Sequence, residues 1–141
     1  MSAPTQDDGD RVAHDRIGDD QIGEFTAFRK RMNERILAEP NQVVRRFFAL
    51  DTQTYRPGAL DLKTKELLGL VASLVLRCDD CISYHVAQCQ QAGVNRDEMF
   101  EAFSVGLVVG GSIVIPHLRR AVDFLDQLEQ GDAASPAHEH A

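Results

Sequence analysis

A chain of 141 residues, 43% of them hydrophobic and with a formal charge of −7, has the length for one domain with a real core. The charge is unevenly placed: up to Glu24, seven acids (Asp7, Asp8, Asp10, Asp15, Asp19, Asp20, Glu24) face only Arg11 and Arg16, a local balance of −5. The near-neutral remainder has no Lys/Arg stripe interleaved with aromatics, which disfavours nucleic-acid binding, and the apolar runs Leu67–Leu76 and Val105–Ile115 are too short to cross a bilayer.

Residues 1–19, rich in Asp, Gly and small polar side chains, are expected to form a flexible acidic segment. From Asp20 a helical period runs through Ile22, Phe25, Phe28, Met32 and Ile36 until Pro40 ends it. Asn41 can cap a shorter helix carrying Val43, Val44, Phe47 and Phe48. Thr52 to Ala59, with Arg56-Pro57-Gly58, reads as a turn. Asp61 is a suitable N-cap for a helix through Leu76 that carries Glu66 and is apolar on nearly every side from Leu67 onward. Such a helix needs cover all round, so part of it is expected to lie in a subunit interface.

Arg77-Cys78-Asp79-Asp80 breaks the chain, and a new helix runs to Gln91 with Gly93 as its C-terminal stop. Asn95-x-x-Glu98 resembles a capping box for a helix with Met99, Phe103 and Leu107, interrupted by Gly110-Gly111. A last helix holds Ile113, Leu118, Val122, Leu125 and Leu128, with Pro116 near its start and Gly131 just past its end. Residues 132–141 complete the chain as a flexible tail. No strand alternation or phosphate-binding glycine loop occurs, so residues 20–131 are read as one all-α domain.

The chemistry centres on Glu66, Cys78, Cys81 and His85. On a helix, Cys81 and His85 stand on one face, one turn apart. Cys78, three residues back, is close enough to close a disulfide with Cys81. The helix N-terminus and His85 could both favour a thiolate, with Glu66 orienting the imidazole, while Asp79 and Asp80 would oppose it. Cys81 is the better candidate for the attacking thiol and Cys78 for the resolving one. The plainer alternative makes both cysteines small apolar fillers and His85 a core histidine. Zinc on Cys78, Cys81, His85 and Cys89 is disfavoured, because Cys78 and Cys89 would lie about 16 Å apart along one helix. His117 is assigned a structural or surface place, Glu98 a cap, Glu101 an exposed face, and His138 and His140 to the tail. Tyr84 either lines a site or packs.

Three cysteines, with an acidic polar N-terminus in place of an export signal, point to a reducing cytoplasm, where a Cys-x-x-Cys suggests redox or metal chemistry.

The spacing Glu66-x11-Cys78-x2-Cys81-x3-His85 resembles the motif of the AhpD-like group within the carboxymuconolactone decarboxylase family. The likeness extends over Ala87–Gly93, Asp97–Ala102 and Gly110-Gly111, covering roughly Leu60 to Val122. The resemblance implies an all-α fold on a helical hairpin, assembled as a homotrimer or hexamer. It also implies alkylhydroperoxidase or disulfide reductase activity, in which Cys81 meets the peroxide, Cys78 resolves, and Glu66 and His85 relay protons. Electrons would come from a dithiol donor such as a lipoyl or thioredoxin-like protein, with no metal or organic cofactor. Lactone decarboxylases of this fold typically lack the cysteine pair. Decarboxylation through Glu66 and His85, and a non-catalytic redox sensor or assembly protein, are the alternatives.

Overall fold

The computed structural model describes residues 9–134, with side chains from 21 to 132. It consists of α1 (Gly9–Leu37), α2 (Gln42–Thr54), α3 (Leu62–Leu76), α4 (Asp79–Gln91), α5 (Arg96–Gly110), a 3-10 turn at Ser112–Val114 and α6 (Ile115–Ala134), with no strand among the described residues. The all-α expectation holds. Helix α1 begins at Gly9, inside the stretch expected to be flexible; no proline lies between Pro4 and Pro40 to stop a helix there. Residues 1–8 and 135–141, including His138 and His140, lie outside the described residues.

The caps follow local chemistry. The Asn41 side chain accepts from the Val43 and Val44 N–H groups, and Asp61 accepts from Thr64 N–H. Asn95 and Glu98 form a reciprocal capping box at the start of α5, and Lys63 Nζ donates to Glu98 at 2.7 Å. Between α2 and α3, Lys65 Nζ reaches back to the carbonyls of Thr54 and Arg56, at 2.8 and 2.7 Å. Gly93 takes the left-handed backbone (φ 86°) that ends α4. Gly131, expected as a stop, lies inside α6. Asp132 accepts from Gln90 Nε2 of α4 at 2.9 Å and so ties that last turn down.

Helix α3 packs against both α4 and α5, and α6 closes over α4. Their shared core comprises Leu70 and Leu74 of α3, Ile82, Val86 and Cys89 of α4, Met99 and Phe103 of α5, and Ala121 and Leu125 of α6. Gly106 lets α5 approach Leu74, whose side-chain atoms would lie 3.2 and 3.3 Å from an added Cβ. The apolar surplus of α3 is covered on the core side alone: Leu68 and Leu76 are exposed, as are Val105, Val108 and Val109 on α5. Helix α2 buries no residue at all and presents Val43, Phe47 and Leu50 to the surface. Among the described residues no helix is long and apolar enough to cross a membrane.

Candidate active site

The α3–α4 junction turns on two residues. Arg77 adopts the left-handed conformation (φ 59°) that ends α3, and Cys78 follows in extended backbone as the N-cap of α4. As cap, the Cys78 sulfur accepts the Cys81 N–H at 3.3 Å, satisfying one of the donors a helix start leaves open. The same turn brings the Cα atoms of Cys78 and Cys81 to 5.2 Å, and the two form a disulfide. Both cysteines are half-buried. The turn therefore gives Cys78 the helix N-terminal field, which favours negative charge on its sulfur once the bond is reduced.

Glu66 and His85 meet across the hairpin. His85 Nδ1 lies 2.8 Å from Glu66 Oε2, and both residues are buried, at 8% and 3% exposure. A carboxylate on Nδ1 draws the ring proton to that side and leaves Nε2 as an acceptor in the neutral imidazole. The Tyr55 hydroxyl stands 3.4 Å from Nε2. Tyr84, one residue before His85, packs edge-on against the ring, with centroids 5.2 Å apart. The Arg29 guanidinium of α1 sits 4.2 Å from the centroid of Tyr84. Burial, and after it the Glu66 charge, pushes the Tyr55 and Tyr84 phenols above their ordinary range, so both remain proton donors.

A cleft of about 310 Å³ opens beside this group, with walls that include Asp51, Tyr55, Arg56, Glu66, Tyr84 and Gln88. It reaches the Glu66–His85 pair through Glu66 and Tyr55, whereas neither cysteine lines it. Cys89, one turn past His85, is fully buried, and burial followed by the Glu66 charge pushes its thiol up to about 12. It is an inert core residue under ordinary conditions.

Three features escape a reading of the sequence alone. Tyr55 comes from the turn after α2, thirty residues from the histidine it meets. Gly69 looks like any helix glycine. Asp79, expected to oppose a thiolate, is instead held from α6 by His117 Nδ1 at 2.7 Å and Arg120 Nη1 at 3.2 Å. His117 thereby gains a specific partner, and the Asp79 charge beside the disulfide is partly offset.

Comparison with known proteins agrees with the architecture. The sequence profile of the carboxymuconolactone decarboxylase family matches residues 41–124. Two crystal structures of TM1620 from Thermotoga maritima superpose with TM-scores of 0.77 and 0.75 at 55% identity, covering 79% and 78% of this chain and 98% and 93% of theirs. TM1620 is a carboxymuconolactone decarboxylase family protein for which involvement in an antioxidative response has been suggested. A member of the same family from Legionella pneumophila is 27% identical with a TM-score of 0.53, over 86% of this chain and 97% of that one. Uncharacterized protein 4 in the cox locus of Paracoccus denitrificans is 29% identical over 83 residues, 59% of this chain and 75% of its own. With the profile spanning more than half of its length, the chain belongs to the carboxymuconolactone decarboxylase family.

Proposed function

We propose that this chain is a thiol-dependent peroxidase that reduces alkyl hydroperoxides by cycling Cys78 and Cys81 between dithiol and disulfide. The observation that carries this reading is the pairing of a half-buried disulfide at the start of α4 with a buried Glu66–His85 couple on the same hairpin. The suggested antioxidative role of TM1620 supports the same direction.

In the proposed cycle the Cys81 thiolate attacks the terminal oxygen of the hydroperoxide and the O–O bond breaks. The alkoxide leaves as the alcohol with a proton from protonated His85, and Cys81 becomes a sulfenic acid. The Cys78 thiolate, held at the N-cap, attacks the Cys81 sulfur and breaks its S–O bond. Hydroxide takes up a proton and leaves as water, and the disulfide seen here remains. Glu66 keeps the imidazole oriented through Nδ1. An external dithiol, of lipoyl or thioredoxin-like type, then attacks the disulfide and returns both thiols. No metal or organic cofactor enters the cycle.

The exposed apolar faces of α2, α3 and α5 support assembly as a homotrimer or hexamer, and the free-thiol chemistry suits a cytoplasmic setting. The test is steady-state reduction of an organic hydroperoxide with a dithiol donor. Wild-type protein should consume both, Cys81→Ser should be inactive, and Cys78→Ser should stop after at most one turnover with Cys81 trapped as sulfenate. Wild-type rates in both variants overturn the cycle. Turnover of a lactone acid without either thiol would mark a decarboxylase. Stoichiometric oxidation with a change in oligomer size and no turnover would mark a sensor.

A further inference from the structure

The Glu66–His85 couple uses one ring nitrogen; the other has its own partner, and that partner stands in the cleft wall. We propose that Tyr55 is the positioning residue that fixes Nε2 of His85 and passes protons between the buried ring and the cleft beside it. This rests on the peroxidase reading for the direction of proton flow, and on the geometry alone for the contact.

Three observations converge on it. Nδ1 is committed to Glu66 at 2.8 Å, so Nε2 is the nitrogen left to exchange a proton, and the Tyr55 hydroxyl is 3.4 Å from it. Tyr55 lines the cleft together with Glu66, whereas buried His85 does not, so Tyr55 is the residue that joins Nε2 to the cleft wall, as Glu66 joins Nδ1. The third is Gly69. A Cβ built there would lie 2.6 Å from His85 Cε1, 2.8 Å from Nε2 and 2.7 Å from the Tyr55 hydroxyl oxygen. All three are far inside van der Waals contact, and all belong to the same two side chains. Glycine is a poor helix-interior residue, and its use on α3 leaves room for tyrosine and histidine to meet over the helix backbone.

The proton balance is simple. In the neutral ring, Nε2 accepts the Tyr55 O–H. When the ring has given up its proton, the Tyr55 O–H passes its own proton to Nε2 and takes another from solvent in the cleft, after which Nε2–H donates to the Tyr55 oxygen. The ring is charged again, the phenol is restored, and one proton has moved from the cleft to His85. Because Tyr55 is held in its protonated form by burial and by Glu66, it can serve this exchange over the whole physiological range.

Tyr55→Phe and Gly69→Ala test this from two sides, since the second disturbs the contact without altering either partner. The first readout is the ¹⁵N NMR signal of His85 Nε2, which needs no activity. Tyr55→Phe should move it downfield toward an unbonded ring nitrogen, and Gly69→Ala should do likewise. The second is the pH profile of hydroperoxide turnover, with kcat falling about 10- to 100-fold in Tyr55→Phe, toward the low end of acid–base effects because only a relay is lost, and KM for the dithiol unchanged. An Nε2 signal unmoved in Tyr55→Phe overturns the proposal whatever the activity. A moved signal with unchanged kcat and pH profile overturns the relay. A wild-type protein that turns over no hydroperoxide, with the signal still dependent on Tyr55, overturns the peroxidase reading and supports the positioning contact.

Discussion

Two histidine–carboxylate pairs bracket the disulfide, alike in geometry and unlike in setting. Glu66 meets His85 Nδ1 at 2.8 Å with side chains 4% and 10% exposed; Asp79 meets His117 Nδ1 at 2.7 Å with side chains 45% and 19% exposed. Distance does not distinguish them; surroundings do. The Glu66 carboxylate is taken from water among apolar helices, where losing its partner would strand a charge. The Asp79 carboxylate faces solvent and shares itself with Arg120, so either partner can be lost cheaply. The buried pair is suited to handling a proton, and the exposed pair to pinning the first turn of α4 onto α6.

The largest effects should follow from breaking the buried pair. Glu66→Ala leaves the His85 Nδ1–H without its partner in the core and should cost about 1–3 kcal/mol of stability, measured by chemical denaturation. Glu66→Gln keeps the shape but removes the charge; it should spare most of the stability while hydroperoxide turnover falls about 10²–10⁴-fold. His85→Ala should lose activity to a similar extent. If Glu66→Ala is no less stable than a typical surface variant, the contrast between the pairs collapses.

Cys89, one turn past His85 on α4, measures the dielectric setting of that pair. Its thiol is pushed up to about 12, by burial first and by Glu66 second. The sign follows from linkage. An unfolded thiol ionises near its ordinary value of about 8.5, while the folded one keeps its proton, so the contribution to stability is full below that value. It is lost as pH climbs from there toward the folded value, by at most ~1.4 kcal/mol per pH unit. Denaturation of the disulfide form across alkaline pH should show this slope, and Cys89→Val should flatten it. An equal slope in Cys89→Val would mean that the core around the pair is wetter than its burial implies.

Sequence periodicity locates what is local and misses what is assembled. Asp61, Asn95 and Glu98 declared the starts of α3 and α5, because a cap is a matter of three or four neighbouring residues. The juxtaposition of Cys78 with Cys81 was legible for the same reason: a helix start fixes it. Tyr55 was not, since a residue in a turn carries no period and its partner arrives from another helix. Asp79 was read as a bare charge because the two side chains that offset it come from α6, about forty residues on. Gly131 was read as a stop although Gln90 and Asp132 hold the helix through it.

The smallest expected effect belongs to the exposed pair, and it sharpens the comparison most. A double-mutant cycle on Asp79→Asn and His117→Ala should give a coupling of about 0.2–1 kcal/mol, weakened by salt. The same cycle on Glu66 and His85 should give several-fold more. The weaker pair still has a chemical consequence, because Asp79 directly follows Cys78. Without His117 more of the Asp79 charge is felt at the Cys78 sulfur, which disfavours the thiolate; without Asp79 that opposition is gone. Alkylation of Cys78 in reduced protein should therefore slow in His117→Ala and quicken in Asp79→Asn, each by less than about tenfold, as expected of a charge open to water. Rates that move together in both variants would show that the contact acts by holding α4 in place, with the charge of Asp79 playing no part at the sulfur.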